Sequence, residues 1–171
     1  MLEWNTLFQL MKQPLMRMLP ITSIAIHSHL KNMVKEWRLS YLNMASTINK
    51  QYINQIEVMK SKFIAYFTPL NNEEDFKPFL ANLRKEHKKA RHIVYAYRVN
   101  MKSKSSDDGE PKGTAGHPLL ELLYKKDINN VALLVVRYFG GTKLGASRLL
   151  RTYLQAGIDV VNGSELVILE R

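Results

Sequence analysis

The segment from Val131 to Val136 constrains the fold of this chain more than any other stretch. It reads VALLVV, contains only aliphatic residues, and is followed by the glycine pair Gly140 and Gly141. Such a run is typical of a strand that is buried on most of both faces. After Gly145 the apolar period becomes helical, which predicts that the chain turns through glycines into an amphipathic helix. The apolar residues of that helix are Leu149, Leu150, Tyr153, Leu154 and Val161.

The turn between this strand and this helix is a candidate anion site. The first backbone N–H groups of a helix lack partners within the helix and carry partial positive charge, so they can receive an anion. Gly140, Gly141 and Gly145 shape the predicted turn. The competing interpretation is that the glycines only permit a tight turn and close packing of helix on sheet. The basic residues near the turn are Arg137, Lys143, Arg148 and Arg151.

Two known glycine motifs fit this turn poorly. Gly140 and Gly145 have the spacing of GxxxxG, but Ala146 and Ser147 stand where a P-loop carries its lysine. Ser147 also does not form a nucleophile elbow, because Leu149 occupies the position of the last glycine in GxSxG. We therefore expect neither nucleotide hydrolysis at a P-loop nor serine catalysis.

Length and composition predict one ordinary domain that binds acidic partners. The chain has 171 residues, 46% of them hydrophobic, which is enough for a core without disulfides or metals. It has no cysteine, which excludes thiol catalysis and fits a reducing cytoplasm. The net charge of +10 favours nucleic acid, ribosomes or acidic proteins as partners. No run of eighteen apolar residues predicts a membrane span, and the scattered histidines predict no metal site.

Residues 1–43 differ from the rest of the chain. They contain Pro14 and Pro20 and show no sustained helical or alternating pattern. We expect a poorly patterned N-terminal extension, with a single domain at residues 44–171. Met44 is then a candidate natural start.

Three strands and one helix are predicted before the central strand. Alternating apolar residues predict strands at 52–58, 63–67 and 93–99. Asp75 is the predicted cap of a helix that carries Pro78 in its first turn. The predicted buried face of this helix carries Phe76, Leu80, Leu83 and His87.

Residues 103–118 form a predicted loop without regular structure, since glycine, proline and small polar residues dominate it. Its acidic residues are Asp107, Asp108 and Glu110, which could hold Mg²⁺ but lack the spacing of an EF-hand, so an acidic turn is the default interpretation. An inward-pointing Arg137 could pair with Asp107 or Asp108. A second helix start follows, and the residues of this helix-start loop are Gly113, Thr114 and Gly116, ahead of Pro118.

Several motifs of the chain resemble those of the YigZ/IMPACT family, in the right order over about residues 48–162. They are the segments 61–65, 87–92, 96–98, 107–116 and 136–145, which read SKFIA, HKKARH, AYR, DDGEPKGTAG and VRYFGGTKLG. The last two are long and individually rare. On these segments the chain is identified as similar to members of that family.

The resemblance implies both a fold and a role in translation. The implied fold is an α/β domain of the α+β two-layer kind, similar to the second domain of ribosomal protein S5, with a mixed sheet of about four to five strands covered by helices. Eukaryotic members regulate translation through the general-control kinase pathway and its ribosome-bound activator, whereas bacterial members are suspected of binding nucleic acid or the ribosome. Neither the N-terminal RWD domain nor the second, ferredoxin-like domain of relatives is recognisable here.

Two functional hypotheses follow from the residues and the resemblance. The first is a non-enzymatic, cytoplasmic regulator of translation that binds RNA, the ribosome or a translation-associated protein through the glycine turn and the basic residues, without a cofactor. The second is an enzyme acting on a phosphorylated or otherwise anionic small molecule, with the acidic loop as general base or metal ligand. A third interpretation treats both loops as determinants of the fold alone.

The boundary near residue 44 generates a first prediction. A chain expressed from Met44 should fold with a melting temperature close to that of the full chain, because the regular pattern begins after this residue. Thermal melts of both chains followed by circular dichroism measure this. Insolubility of the shorter chain, or a midpoint many degrees lower, would show that residues 1–43 contribute to the core.

Overall fold

The computed structural model describes residues 45–100 and 102–169; the predicted extension at residues 1–43 and the candidate start at Met44 lie outside them. Five strands form the main sheet, a two-stranded ribbon joins the ends of the described part, and three helices cover the sheet. The strands are β1 (Ser46–Thr47), β2 (Tyr52–Val58), β3 (Ser61–Pro69), β4 (His92–Val99), β5 (Lys102–Ser106), β6 (Val131–Tyr138) and β7 (Val167–Ile168). The helices are α1 (Glu73–Glu86), α2 (Gly116–Lys125) and α3 (Ala146–Asn162).

The predicted central strand is confirmed as β6. It lies in the middle of the sheet order β2-β3-β6-β4-β5, and every residue except Tyr138 is buried. Val135 pairs with Ala65 of β3 on one side and with Val94 of β4 on the other. A strand with neighbours on both edges and helices on both faces excludes water throughout, which explains its uninterrupted apolar sequence.

The α+β class is confirmed, but the sheet is antiparallel where a mixed sheet was expected. β3 and β4 both pair antiparallel with β6 and therefore run in the same direction, yet they are not neighbours. The mixed sheet was what the family resemblance implied. The later strand β6 lies between β3 and β4 instead, so every described pairing in the main sheet is antiparallel.

Helices cover both faces of the sheet, so the expected two layers are three. Alternate residues of the strands face α2 and α3 on one side, where Phe63, Val135 and Tyr153 belong to one core cluster. The intervening residues face α1 on the other side, where Phe76 packs with Leu134. The apolar residues of both faces alternate along the same strands.

Helix α1 begins three residues earlier than predicted, because its N-cap is Asn72 and not Asp75. It starts at Glu73, and Asp75 lies at its third position, where its carboxylate accepts the backbone N–H of Asn72 at 3.2 Å. Asp75 therefore binds back to the start of the helix instead of preceding it. Pro78 is the sixth helical residue, so its ring removes a hydrogen bond to the carbonyl of Glu74.

Strand β5 lies in the segment that was predicted to lack regular structure. Residues Lys102–Ser106 pair with β4 and form an edge of the sheet. Serine and lysine have little intrinsic preference for strands, so pairing with the adjacent β4 decides the conformation. Lysines are frequent on edge strands, where charge discourages further pairing.

The turn after β6 passes directly against the β2–β3 hairpin. That hairpin turns through Met59 and Lys60, both at positive φ. A Cβ at Gly140 would collide with the backbone of Lys60, and Gly141 has φ +90°. The Gly140 N–H donates to Ser61 Oγ at 3.0 Å. Glycine is therefore required at residue 140 by contact and at residue 141 by conformation.

These two glycines should respond differently to alanine. Gly141→Ala should cost on the order of 1 kcal/mol of unfolding free energy, because alanine is strained at positive φ. Gly140→Ala should cost more, because the backbone of Lys60 must move. Urea unfolding measures both, with Gly163→Ala, at φ −81°, as the matched control. Equal stability of the three variants and the parent would contradict the packing described here.

Candidate nucleic-acid interface

The glycine turn leads into a helix whose first turn lies at the protein surface. Helix α3 begins after Gly145, which has φ +77° and allows the chain to change direction immediately before the helix. Ala146, Ser147 and Arg148 of the first turn are exposed. No side chain among the described residues caps this helix start, and its first turn contains no acidic residue. Its partial positive charge therefore faces solvent.

The start of α2, in contrast, is occupied by the chain's own carboxylate. Asp107 accepts the backbone N–H groups of Gly113 at 2.8 Å, Ala115 at 3.1 Å and Gly116 at 2.8 Å. Thr114 donates its hydroxyl to the carbonyl of Pro111 at 2.6 Å, which tightens the same loop. The two predicted helix starts are thus unequal: Asp107 closes the first, and the second is open.

Asp108 holds the acidic loop to the rest of the domain. Its carboxylate accepts the backbone N–H of Ile93 at 2.7 Å and a guanidinium N–H of Arg84 at 2.7 Å. The first contact joins the loop to β4, and the second joins it to α1. Asp107 and Asp108 therefore point to different partners. Within the described residues no group of three or more histidine or acidic side chains is close enough to hold a metal ion.

Glu110 and Arg137 form a buried ion pair with a third partner. The Arg137 guanidinium donates to Glu110 Oε1, and the Tyr153 hydroxyl donates to the same oxygen at 2.7 Å. Arg137 thus pairs with Glu110 instead of the predicted Asp107 or Asp108, which are engaged elsewhere. Burial raises the pKa of Tyr153 far above its usual value, and the adjacent Glu110 carboxylate raises it further. The phenol is therefore a permanent donor to this carboxylate.

His92 lies beside this pair. It is opposite Arg137 in the β4–β6 register, and its Nε2 is 3.8 Å from Glu110 Oε1. Its Nδ1 is 2.7 Å from the carbonyl oxygen of Asp108, so Nδ1 carries a hydrogen and donates it. The ring is thereby held in one orientation.

The Arg137 side chain is only 7% exposed, yet its hydrogen bonding is incomplete. Its Nη1 binds Glu110, while its Nε is buried with no partner among the described residues. Its guanidinium also lies 5.5 Å from the ring centre of Phe63 and 5.8 Å from that of Phe139. A guanidinium has five N–H donors, and Glu110 satisfies only part of this capacity.

The acidic loop and the glycine turn meet in a cavity of about 400 Å³, here called the central cavity. Glu110 lines it from the acidic loop, Arg137 from β6, and Lys143, Gly145 and Ala146 from the turn and the start of α3. Of the seven residues predicted as an anion site, three line it, and the other four, Gly140, Gly141, Arg148 and Arg151, lie outside it.

Two further depressions adjoin the central cavity. One, of about 730 Å³, shares Arg91, His92 and Phe139 with it and extends to Lys89. The other, of about 350 Å³, shares Gly145 and Ala146 with it and extends along α3. Shared linings make the three depressions one groove, here called the basic groove. Besides Arg84, which pairs with Asp108, its exposed cations are Lys89, Arg91, Lys143, Arg148 and Arg151.

The uncompensated charge of the basic groove is positive. The only carboxylates that line the three depressions are Asp108 and Glu110, which pair with Arg84 and Arg137. None of the five exposed cations has an acidic partner within 4 Å in the described part of the chain. The cations are therefore available to an external anion.

Sequence reasoning missed Lys89, Arg91 and His92. They lie in the segment HKKARH, which connects α1 to the first residue of β4, about 50 residues before the glycine turn. The pairing of β4 with β6 brings this segment to the turn. The three basic residues within residues 88–91 were the available indication. Separately, no described helix has the length and apolar character needed to cross a membrane.

Comparisons with known proteins agree with this architecture. The family model of the Impact N-terminal domain matches residues 59–161. The chain is 38% identical to the IMPACT family member YvyE of Bacillus subtilis, over 63% of this chain and 51% of that protein. It is 38% identical to the IMPACT family member YigZ of Escherichia coli, over 57% of this chain and 50% of that protein.

The chain thus spans about half the length of these curated relatives. Its fold is similar to a solved structure described as a crystal structure of a hypothetical protein, with a TM-score of 0.70 and 29% identity over 74% of this chain and 64% of the other. The matching domain model covers more than half of the chain and contains the acidic loop, β6, the glycine turn and most of α3. The chain belongs to the IMPACT family.

Proposed function

We propose that this domain is a non-enzymatic regulator of translation that binds single-stranded RNA, free or in the ribosome, along the basic groove in the cytoplasm. Membership of the IMPACT family supports the role in translation, given the regulators of translation that the resemblance implies. The observation that supports RNA binding is the basic groove. It has five exposed cations without acidic partners in the described part of the chain, and it lies beside an open helix start.

The groove fits a phosphate backbone. Arginine, lysine and helix N-termini are the groups that bind phosphates in proteins, and they carry no base identity. The cations are distributed over the segment between α1 and β4, the glycine turn and α3, so that they follow three adjoining depressions instead of one point. Such a path suits consecutive phosphates of a strand.

The exposure of Phe139 favours single-stranded RNA over double-stranded RNA as the ligand. Its ring is 49% exposed and lies where two of the depressions meet. Unstacked bases of single strands bind aromatic rings, whereas the bases of a duplex are stacked on each other. Tyr138, the other aromatic residue at this strand end, is half-buried and shares a hydrogen bond with His87 at 2.7 Å. Phe139 is therefore the aromatic side chain available to a base.

Removing three of the cations should weaken RNA binding without unfolding the domain. The triple variant Lys143→Gln, Arg148→Gln, Arg151→Gln should show a slope of log K against log salt that is smaller by roughly 0.7 for each phosphate that it no longer neutralises. Fluorescence anisotropy with a labelled single-stranded RNA measures the slope. The melting temperature should stay close to that of the parent, since all three side chains are exposed.

The matched control is the triple variant Lys77→Gln, Lys104→Gln, Lys125→Gln. It removes the same charge from exposed positions outside the three depressions. Its RNA affinity should decrease much less. If both triple variants, or neither, lose affinity, binding depends on net charge or on another surface, and the groove is not the interface.

Arg137 should behave differently from the exposed cations. Arg137→Ala should lower the unfolding free energy by about 3–5 kcal/mol, because it leaves the Glu110 carboxylate buried without its ionic partner. Tyr153→Phe should cost less, about 1.5–3 kcal/mol, because it removes one hydrogen bond to a charged group. Denaturant unfolding distinguishes the two. A decrease below about 1 kcal/mol for Arg137→Ala would show that the pair is solvated.

A second candidate function is an enzyme acting on an anionic small molecule. One observation favours it: the central cavity brings His92 and Glu110 next to the open helix start. Against it, Glu110 Oε1 already accepts hydrogen bonds from Arg137 and Tyr153, so this oxygen is poorly placed to act as a general base. Turnover of a phosphorylated compound by the parent chain, abolished in His92→Ala, would favour the enzyme.

A further inference from the structure

We propose that the central cavity is a binding site for a nucleoside that carries a phosphate monoester, with the phosphate at the first turn of α3 and the base against Phe139. The inference rests on the proposed RNA-binding groove and specifies one ligand within it. Two ligands have this chemistry: a free mononucleotide and the phosphorylated end of an RNA strand.

The phosphate position is defined by the open start of α3. This helix has 17 residues, its first-turn residues are exposed, and Gly145 and Ala146 line the cavity. No described residue accepts the backbone N–H of Ala146. Lys143, two residues before Gly145, lines the same cavity. N–H groups and a lysine that converge from one loop are a common phosphate-binding arrangement.

The second observation is the incomplete bonding of Arg137. Its side chain is more than nine-tenths buried, it lines the cavity, and its Nε has no partner among the described residues. A buried donor without an acceptor is unfavourable, and native proteins rarely leave one unsatisfied. A phosphate oxygen that enters the cavity from the α3 side would supply an acceptor to this guanidinium. The arginine therefore favours an anionic ligand independently of the helix.

The charges of the cavity match a dianion. Arg91, Arg137 and Lys143 line it, and Glu110 is the only lining carboxylate, so two positive charges are uncompensated. A phosphate monoester carries a charge of about −1.5 to −2 near pH 7. A phosphodiester within a strand carries a single negative charge. The cavity therefore favours a terminal phosphate over an internal one.

The remaining walls of the cavity are apolar, which an inorganic anion would not use. Leu144 and Leu149 line the cavity together with Phe139, and Arg137 lies 5.8 Å from the centre of the Phe139 ring. The ring is 49% exposed and can receive a planar base. The volume of about 400 Å³ falls within the range of about 300–1,000 Å³ for small-molecule sites. A nucleoside with one phosphate uses both the charged and the apolar walls.

Calorimetric titration of the full chain tests this inference. AMP, GMP, CMP and UMP are compared with their unphosphorylated nucleosides and with inorganic phosphate. At least one monophosphate should bind about tenfold more tightly than both its nucleoside and inorganic phosphate, since it alone uses both walls. If no monophosphate exceeds inorganic phosphate, or nucleoside and monophosphate bind equally, the inference is wrong.

Two variants separate the halves of the site. Phe139→Ala should weaken the monophosphate at least fivefold and leave inorganic phosphate unaffected. Ala146→Pro removes one N–H donor at the first helical position, where proline fits a helix, and should weaken both ligands about tenfold. Tyr124→Ala, which removes an aromatic residue that is 50% exposed outside the cavity, is the control and should change neither affinity. Unchanged monophosphate binding in both Phe139→Ala and Ala146→Pro would place the ligand elsewhere.

The source of the ligand is tested with short single-stranded RNAs that differ only in a terminal phosphate. Tighter binding of the phosphorylated RNA identifies a strand end as the ligand, and equal RNA affinities with retained mononucleotide binding identify a free nucleotide. Both outcomes support the cavity. A mononucleotide in the central cavity does not require the distal cations Arg148 and Arg151. Binding of AMP without binding of RNA would therefore refute the proposed RNA-binding groove and leave the nucleotide site standing. A chain that binds RNA but no monophosphate would refute only the inference.

Discussion

The buried contact between Arg137 and Glu110 is the interaction on which the candidate site depends. Arg137 belongs to the central strand β6, Glu110 to the acidic loop, and Tyr153, which donates to the same carboxylate oxygen, to helix α3. One carboxylate therefore joins three parts of the chain that are distant in sequence. Burying two charges is costly and is offset only by good geometry and additional hydrogen bonds, so this arrangement constrains the acidic loop to one position over the sheet. In this position the loop contributes Glu110 and Pro111 to the wall of the central cavity.

The two helix starts show how similar sequences acquire opposite roles. Both α2 and α3 follow glycine-containing loops, and both present free N–H groups to whatever lies before them. Asp107 occupies the start of α2, where its carboxylate accepts the N–H groups of Gly116, the first helical residue, and of Gly113 and Ala115 before it. No acidic side chain of the described residues does so at α3, where Lys143 and Arg148 lie nearby instead. The first loop is therefore explained by stability, whereas the second leaves the helix start open, as the proposed phosphate binding requires.

The contacts of the three acidic residues of the loop support the proposed binding function over the enzymatic alternative. Asp107 caps a helix, Asp108 joins the loop to α1 and β4, and Glu110 neutralises Arg137. Each carboxylate is engaged in holding the fold, and each pairing leaves the basic residues of the groove without competition from negative charge. The result is a concave surface whose uncompensated charge is positive. On such a surface we propose that the phosphates of RNA bind.

Local sequence patterns determined several of the secondary-structure elements of this protein. The uninterrupted apolar run of β6, the helical period of α3 and the glycines between them follow from burial and from φ angles, which a sequence shows directly. Pairing between distant segments was decided by the tertiary structure, because strand order depends on long-range contacts. The insertion of β6 between β3 and β4 made the sheet antiparallel and placed His92 beside Arg137. The same pairing with β4 turned the polar segment Lys102–Ser106 into a strand. The sequence by itself thus identified the cations near the turn. Only the folded sheet decided which carboxylate pairs with which arginine, because a carboxylate binds the donor that packing brings within reach.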